Sequence, residues 1–196
     1  MGKIFCLMGK SSTGKDTIFK KLSEDEELAL DTIVSYTTRP IRDGEEEGKE
    51  YYFVGEKRLK ELTAAGRVIE LRAYHTLYGV WKYFTVDDEQ IDLEKRNYLI
   101  IGTPESYERV KAYFGPDKVV PLLITLDDGV RLQRALDREK LQENPRYGEM
   151  CRRFLADSED FSAKRIEEAG IRNSFENNDL EHCLSELKQY ILKVMK

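Results

Sequence analysis

The stretch Ile4-Phe5-Cys6-Leu7-Met8-Gly9-Lys10-Ser11-Ser12-Thr13-Gly14-Lys15-Asp16-Thr17 decides the fold. An apolar run of strand length passes into a loop bracketed by two glycines and closed by a lysine, and helix-compatible spacing follows. Glycines let backbone N–H groups turn inward on an anion, the next helix offers its positive end, and Lys15 can reach the outer phosphates. The reading is a P-loop for a nucleoside triphosphate, with Gly9, Ser11, Ser12, Thr13, Gly14, Lys15, Asp16 and Thr17 as candidate contacts. Asp16 stands where a hydroxyl residue facing magnesium is expected, and Thr17 follows it.

Working outward, Thr17–Leu22 continues as a helix and ends in the acidic run Ser23–Glu27, read as a solvated surface. Ile33–Tyr36 and Tyr51–Val54 read as short strands, Glu56–Ala65 as a helix and Arg67–Leu71 as a strand, with Tyr78–Val80 in a turn or strand. Tyr98–Gly102 and Val119–Ile124 are continuous apolar runs, the pattern of strands covered on both faces. The fold class is therefore α/β, a parallel central sheet flanked by helices with a small mixed α/β lobe. From Gly129 to Asp160 the chain is rich in charge, and the Asn144-Pro145-Arg146-Tyr147-Gly148 interruption predicts two helices with a mobile connection, a candidate lid. Asn177-Asn178-Asp179 precedes a capped C-terminal helix. One domain is expected over 1–196, with a core of 1–34, 85–128 and 160–196, a lobe of 35–84 and a lid of 129–159.

The 196 residues carry a formal net charge of -5, which gives no expectation of nucleic acid as a partner. The 3 cysteines, Cys6, Cys151 and Cys183, are far apart and fit neither a disulfide framework nor a metal site. With no signal sequence before the P-loop and no apolar stretch long enough to cross a bilayer, a cytoplasmic protein without membrane contact is expected. His75 and His182 lack a second histidine at ligand spacing, and Trp81 reads as an anchor of the small lobe.

Transfer of a phosphoryl group requires neutralising two phosphate chains, so arginines on movable elements are the residues to look for. Arg39 and Arg42 lie on a Pro- and Gly-marked loop, Arg134 and Arg138 share a helix face, and Arg153 can join them. Beyond these, Ser35-Tyr36-Thr37-Thr38-Arg39-Pro40-Ile41-Arg42-Asp43-Gly44-Glu45, then Gly48 and Tyr51-Tyr52-Phe53, resembles the acceptor-binding signature of guanylate kinases. The resemblance continues through Val68-Ile69-Glu70, Tyr78-Gly79, the paired arginines and Asn177-Asn178-Asp179-Leu180, across essentially the whole chain.

What the resemblance implies is phosphorylation of GMP, or dGMP, by ATP with Mg2+ as cofactor. Ser35, Glu70 and Thr103 would meet the guanine, while Arg39, Arg42, Tyr51 and Tyr78 would hold the acceptor phosphate. Lys15, Arg39, Arg134, Arg138 and Arg153 would carry catalysis, with Asn177 on the ATP side. A carboxylate such as Glu70 can accept from the ring N–H and exocyclic amine of guanine, an edge adenine lacks. The chain departs from the family pattern at Ile101 and Thr103, where an aspartate pair is usual, and at Val80. Asp16 is accordingly expected to take over metal support, directly or through water. Two other readings are a guanylate-kinase-like binding module without turnover and a kinase for another purine monophosphate.

Overall fold

The computed structural model describes residues 1–42 and 44–196; Asp43 lies outside the described residues. Strand β1 (Ile4–Met8) is buried along its whole length, because it is the middle strand of a five-stranded parallel sheet. It pairs with β7 (Asn97–Gly102) on one side and β8 (Val119–Thr125) on the other, placing Phe5 between Leu99 and Val120. Strand β2 (Leu30–Thr32) lies outside β7 and β9 (Ser174–Glu176) outside β8.

Alternation explains why β1 is apolar throughout. Ile4, Cys6 and Met8 enter one core with Tyr107 and Val110 of α3 (Pro104–Phe114). Phe5 and Leu7 enter the other with Ile18 and Leu22 of α1 (Lys15–Ser23) and with Cys183, Leu187 and Ile191 of α7 (Leu180–Met195). Each such fully buried aliphatic side chain contributes about 1.5–3 kcal/mol.

A second sheet has the order β4 (Tyr52–Phe53), β3 (Tyr36–Thr37), β6 (Gly79–Val86), β5 (Val68–Thr76). The helix α2 (Glu56–Ala64) covers it through Leu59 and Leu62, which pack with Phe84 and Val86. The charged region forms α4 (Asp128–Lys140) and α5 (Tyr147–Asp160), followed by α6 (Ala163–Glu168).

Some expectations are corrected. Ile33–Tyr36 is not one strand: Ile33–Ser35 crosses between the sheets, with Ile33 N–H bonded to the Leu99 carbonyl and the Ser35 carbonyl accepting from Tyr52 N–H. Strand β5 runs on to Thr76, since residues up to that point pair antiparallel with β6 across a turn at Leu77 and Tyr78. The acidic run is only partly a solvated face. Asp25 accepts from the N–H groups of Glu27 and Leu28 and binds Lys188 at 2.7 Å, tying α7 to the end of α1. The Lys188 ammonium accordingly holds the Asp25 carboxyl below its ordinary range.

Candidate active site

The loop leaves β1 at Met8 with no room for side chains. A Cβ on Gly9 would lie 2.8 Å from Thr13 Oγ1 and 2.9 Å from the Ile124 carbonyl. Gly14 has φ +88, in the left-handed region, where a Cβ would collide with the Asn177 amide. The loop closes on itself as Thr13 Oγ1 donates to the Lys10 carbonyl at 2.9 Å, and α1 then begins at Lys15. Lys15 Nζ pairs with Asp16 Oδ1 at 2.8 Å, while the Asp16 side chain stays 76% exposed on the first turn of α1, beside exposed Thr17.

Three candidate ATP contacts also bond within the protein. The buried Asn177 side chain donates to the Thr13 carbonyl at 2.7 Å, which supports the loop from behind. Thr13 is itself buried. Ser11 N–H donates to Asp157 Oδ2 at 2.7 Å and its carbonyl accepts from Arg131 Nε at 3.0 Å, so its peptide groups face α4 and α5. Ser12 adopts φ +66, and its buried hydroxyl has no partner among the described residues.

On the acceptor side Arg39 is buried and forks Glu45, with both nitrogens 2.8 Å from the carboxylate oxygens. The guanidinium lies 5.4 Å from the rings of Tyr51 and Phe53, and its buried Nε has no partner among the described residues. Burial pushes the Glu45 carboxyl up, but the Arg39 fork and the Arg42 N–H outweigh it and hold it below its ordinary value. Partial desolvation, then the neighbouring Arg39 and Arg153 guanidinium groups, depresses Arg42. Burial pushes the Tyr51 hydroxyl up to about 12, so it remains a donor at neutral pH.

Ser35 is buried where the two sheets meet. Glu70 is buried: Arg72, two residues on and so on the same face of β5, binds it with Nε–Oε2 at 2.9 Å and Nη2–Oε1 at 3.2 Å. Thr85, opposite Glu70 in β6, donates its hydroxyl to Oε1 at 2.8 Å. Thr103 caps α3, accepting from Ser106 N–H, which commits its oxygen to the helix end. Tyr78 is exposed and stacks on Trp81 at 6.2 Å; Arg42 covers Trp81 at 6.0 Å, and Arg146 at the start of α5 covers Tyr78 at 4.6 Å. The pair therefore joins the small sheet to α5.

Arg134 and Arg138 are exposed on α4, and neither guanidinium has an ion pair among the described residues. Arg153 on α5 reaches Ser11 Oγ at 3.4 Å, and its charge is among those that depress Arg42. Sequence reasoning missed Arg131, Asp157, Arg72, Thr85 and Tyr83, the last edge-on to Tyr51 at 5.6 Å. Two of them left a signal: Arg131 lies three and seven residues before Arg134 and Arg138, on one helix face, and Arg72 is same-face with Glu70. No group of three or more His, Cys, Asp or Glu able to hold a metal occurs among the described residues.

Fold and loop together define a P-loop α/β protein with a small second sheet and a helical pair against the phosphate loop. A family model described as guanylate kinase matches residues 1–88. The chain is 27% identical to a guanylate kinase of Porphyromonas gingivalis over 194 residues, 97% of each chain. It is 42% identical to one of Novosphingobium aromaticivorans over 119 residues, 57% of this chain and about half (51%) of that relative. The crystal structure of guanylate kinase from Anaplasma phagocytophilum shares the fold with a TM-score of 0.68 at 21% identity, covering 100% of this chain and 87% of the other. The chain is thus similar to guanylate kinases along its whole length, and its first 88 residues match that family's model.

Proposed function

We propose that the protein transfers the γ-phosphoryl group of ATP to GMP or dGMP, giving ADP and GDP or dGDP. An oxygen of the acceptor phosphate attacks the γ-phosphorus, the bond to the bridging oxygen of ADP breaks, and no enzyme-bound intermediate is needed. The observation that carries this reading is the Arg153 guanidinium, 3.4 Å from the loop hydroxyl of Ser11 and near enough to the acceptor-side Arg42 for its charge to depress that group. One cation is thus within electrostatic reach of both anion sites, which suits in-line transfer between two phosphate chains. Gly9–Lys15 would cradle ATP, Arg39, Arg42 and Tyr51 would hold the acceptor phosphate, and Arg134 and Arg138 would swing onto the transferring group from the 129–159 lid. The core of 1–34, 85–128 and 160–196 and the acceptor lobe of 35–84 are the other units of this reading.

Mg2+ entering with ATP takes oxygen ligands, and the exposed Asp16 carboxylate, with the Thr17 hydroxyl beside it, fits that requirement directly or through water. When bound, the ion supplies neutralisation of phosphate charge. No helix among the described residues is long and apolar enough to cross a membrane. With ATP and GMP as substrates, the setting of this reading is the cytoplasm.

A second reading, altered base selection, is favoured by Glu70, whose carboxylate is already engaged by Arg72 and Thr85. One assay tests both: ADP formation from ATP and Mg2+ with GMP, dGMP, AMP, IMP, CMP or UMP, with Lys15→Ala as background. GMP-selective, Lys15-dependent turnover supports the first. Preference for another monophosphate supports the second, and GMP binding without turnover leaves a binding module.

A further inference from the structure

Arg131 is the largest fully buried side chain among the described residues, with 0% of its surface exposed. A buried guanidinium is tolerated only where its donors are used. Nη2 meets Asp157 Oδ2 at 3.2 Å, Nη1 meets Asp128 Oδ1, Nε donates to the Ser11 carbonyl at 3.0 Å, and the Phe154 ring lies 4.8 Å from the guanidinium carbon. The same Asp157 oxygen accepts the Ser11 N–H at 2.7 Å. One ion pair therefore holds both peptide groups of a single phosphate-loop residue, the acid taking its N–H and the base its carbonyl. Asp128 adds a second tie, binding Lys10 Nζ at 3.2 Å.

The residue after this double clamp is Ser12, whose φ of +66 is uncommon for a residue other than glycine, and whose buried hydroxyl gains nothing in return. Backbone held off its preferred region persists only when its surroundings over-determine it. Thr13 and Asn177 restrain the loop after Ser12, and the restraint before it, on Ser11, comes from α4 and α5.

We propose that Arg131 and Asp157 are positioning residues for the phosphate loop, through which α4 and α5 hold Ser11 so that the loop keeps its anion-accepting shape. The inference rests on the kinase reading for its kinetic arm only. If the pair merely clipped α4 to α5, its loss would lower thermal stability and disturb both substrates alike.

The test compares wild type, Arg131→Met, Asp157→Asn and the double variant by calorimetric titration with Mg2+·ATP, by KM for ATP and for GMP, and by Tm. Arg131→Met is expected to weaken ATP binding by about tenfold or more while leaving the GMP KM within about threefold, and the double variant is expected to lose no more than that. The double variant carries no unpaired buried charge, so it keeps the test open if a single variant fails to fold. A folded double variant that binds Mg2+·ATP like wild type overturns the proposal, as does equal loss for ATP and GMP. If wild type turns over no monophosphate, the kinase reading fails while the titration still decides the role of the pair.

Discussion

A Gly14→Ala substitution is expected to cost about 2–5 kcal/mol of stability, from two separable sources. At φ +88 the backbone sits where an L-residue is disfavoured by about 1–2 kcal/mol. The new methyl group also runs into the Asn177 amide, whose 2.7 Å hydrogen bond to the Thr13 carbonyl is buried. Displacing that amide leaves a carbonyl without its partner, at about 1–3 kcal/mol. In a chain of this length each kcal/mol moves Tm by about 2–4 °C, so a fall of about 10 °C is expected. The sources separate in a double-mutant cycle with Asn177→Ala, where the collision is gone and Gly14→Ala should cost only the backbone share, a coupling of about 1–3 kcal/mol. Denaturant unfolding of the four proteins measures it. Costs that add to within about 0.5 kcal/mol would refute the collision account, whatever the single variants do.

Two further outcomes follow from the protonation behaviour of named groups. Burial pushes the Cys6 thiol up to about 12 and the Cys183 thiol up to about 11, whereas Cys151 is exposed. A colorimetric thiol titration at about pH 8 should therefore count one fast cysteine in the native protein and all three in denaturant; two fast thiols natively would contradict the burial of Cys183. Glu45, held below its ordinary value against Arg39, contributes stability that is complete above its unfolded value and is lost as pH falls through the lower folded one. The Tm gap between wild type and Glu45→Gln should be widest near neutrality and shrink in acid. A gap that stays constant with pH speaks against the clamp.

The parts legible in the sequence were those where one physical demand acts alone. An apolar run such as Ile4–Met8 has to be covered on both faces, and two glycines before Lys15 are needed wherever backbone must turn tightly on an anion. Residues with two competing uses were harder. Ile33–Ser35 is apolar enough for a strand but bridges two sheets, a choice made by pairing partners far along the chain. Thr103-Pro104 with Ser106 is a helix-start signal, and its capping role went unread while Thr103 was weighed only as a base contact. Arg131 looks like any cation on a charged helix, and only the packing of α4 against Ser11 makes it interior. Glu70 was read as a contact to guanine, and its burial beside a neutralising arginine two residues along the strand was not foreseen.

The Asn177 contact also ties the loop to the order of synthesis. Ile4 pairs with Tyr98 and Val119, so the strand bearing the phosphate loop has no pairing partner until about half of the chain has been made, and not both until β8 follows. The loop then waits for Asn177 to reach Thr13 from 164 positions away. At about 5–20 residues per second, translation leaves glycines 9 and 14 without their final support for about 10–30 s. Nucleotide competence is thus a late event in the life of each molecule, and a nascent chain stalled before residue 177 carries the whole loop motif without the contact that braces it.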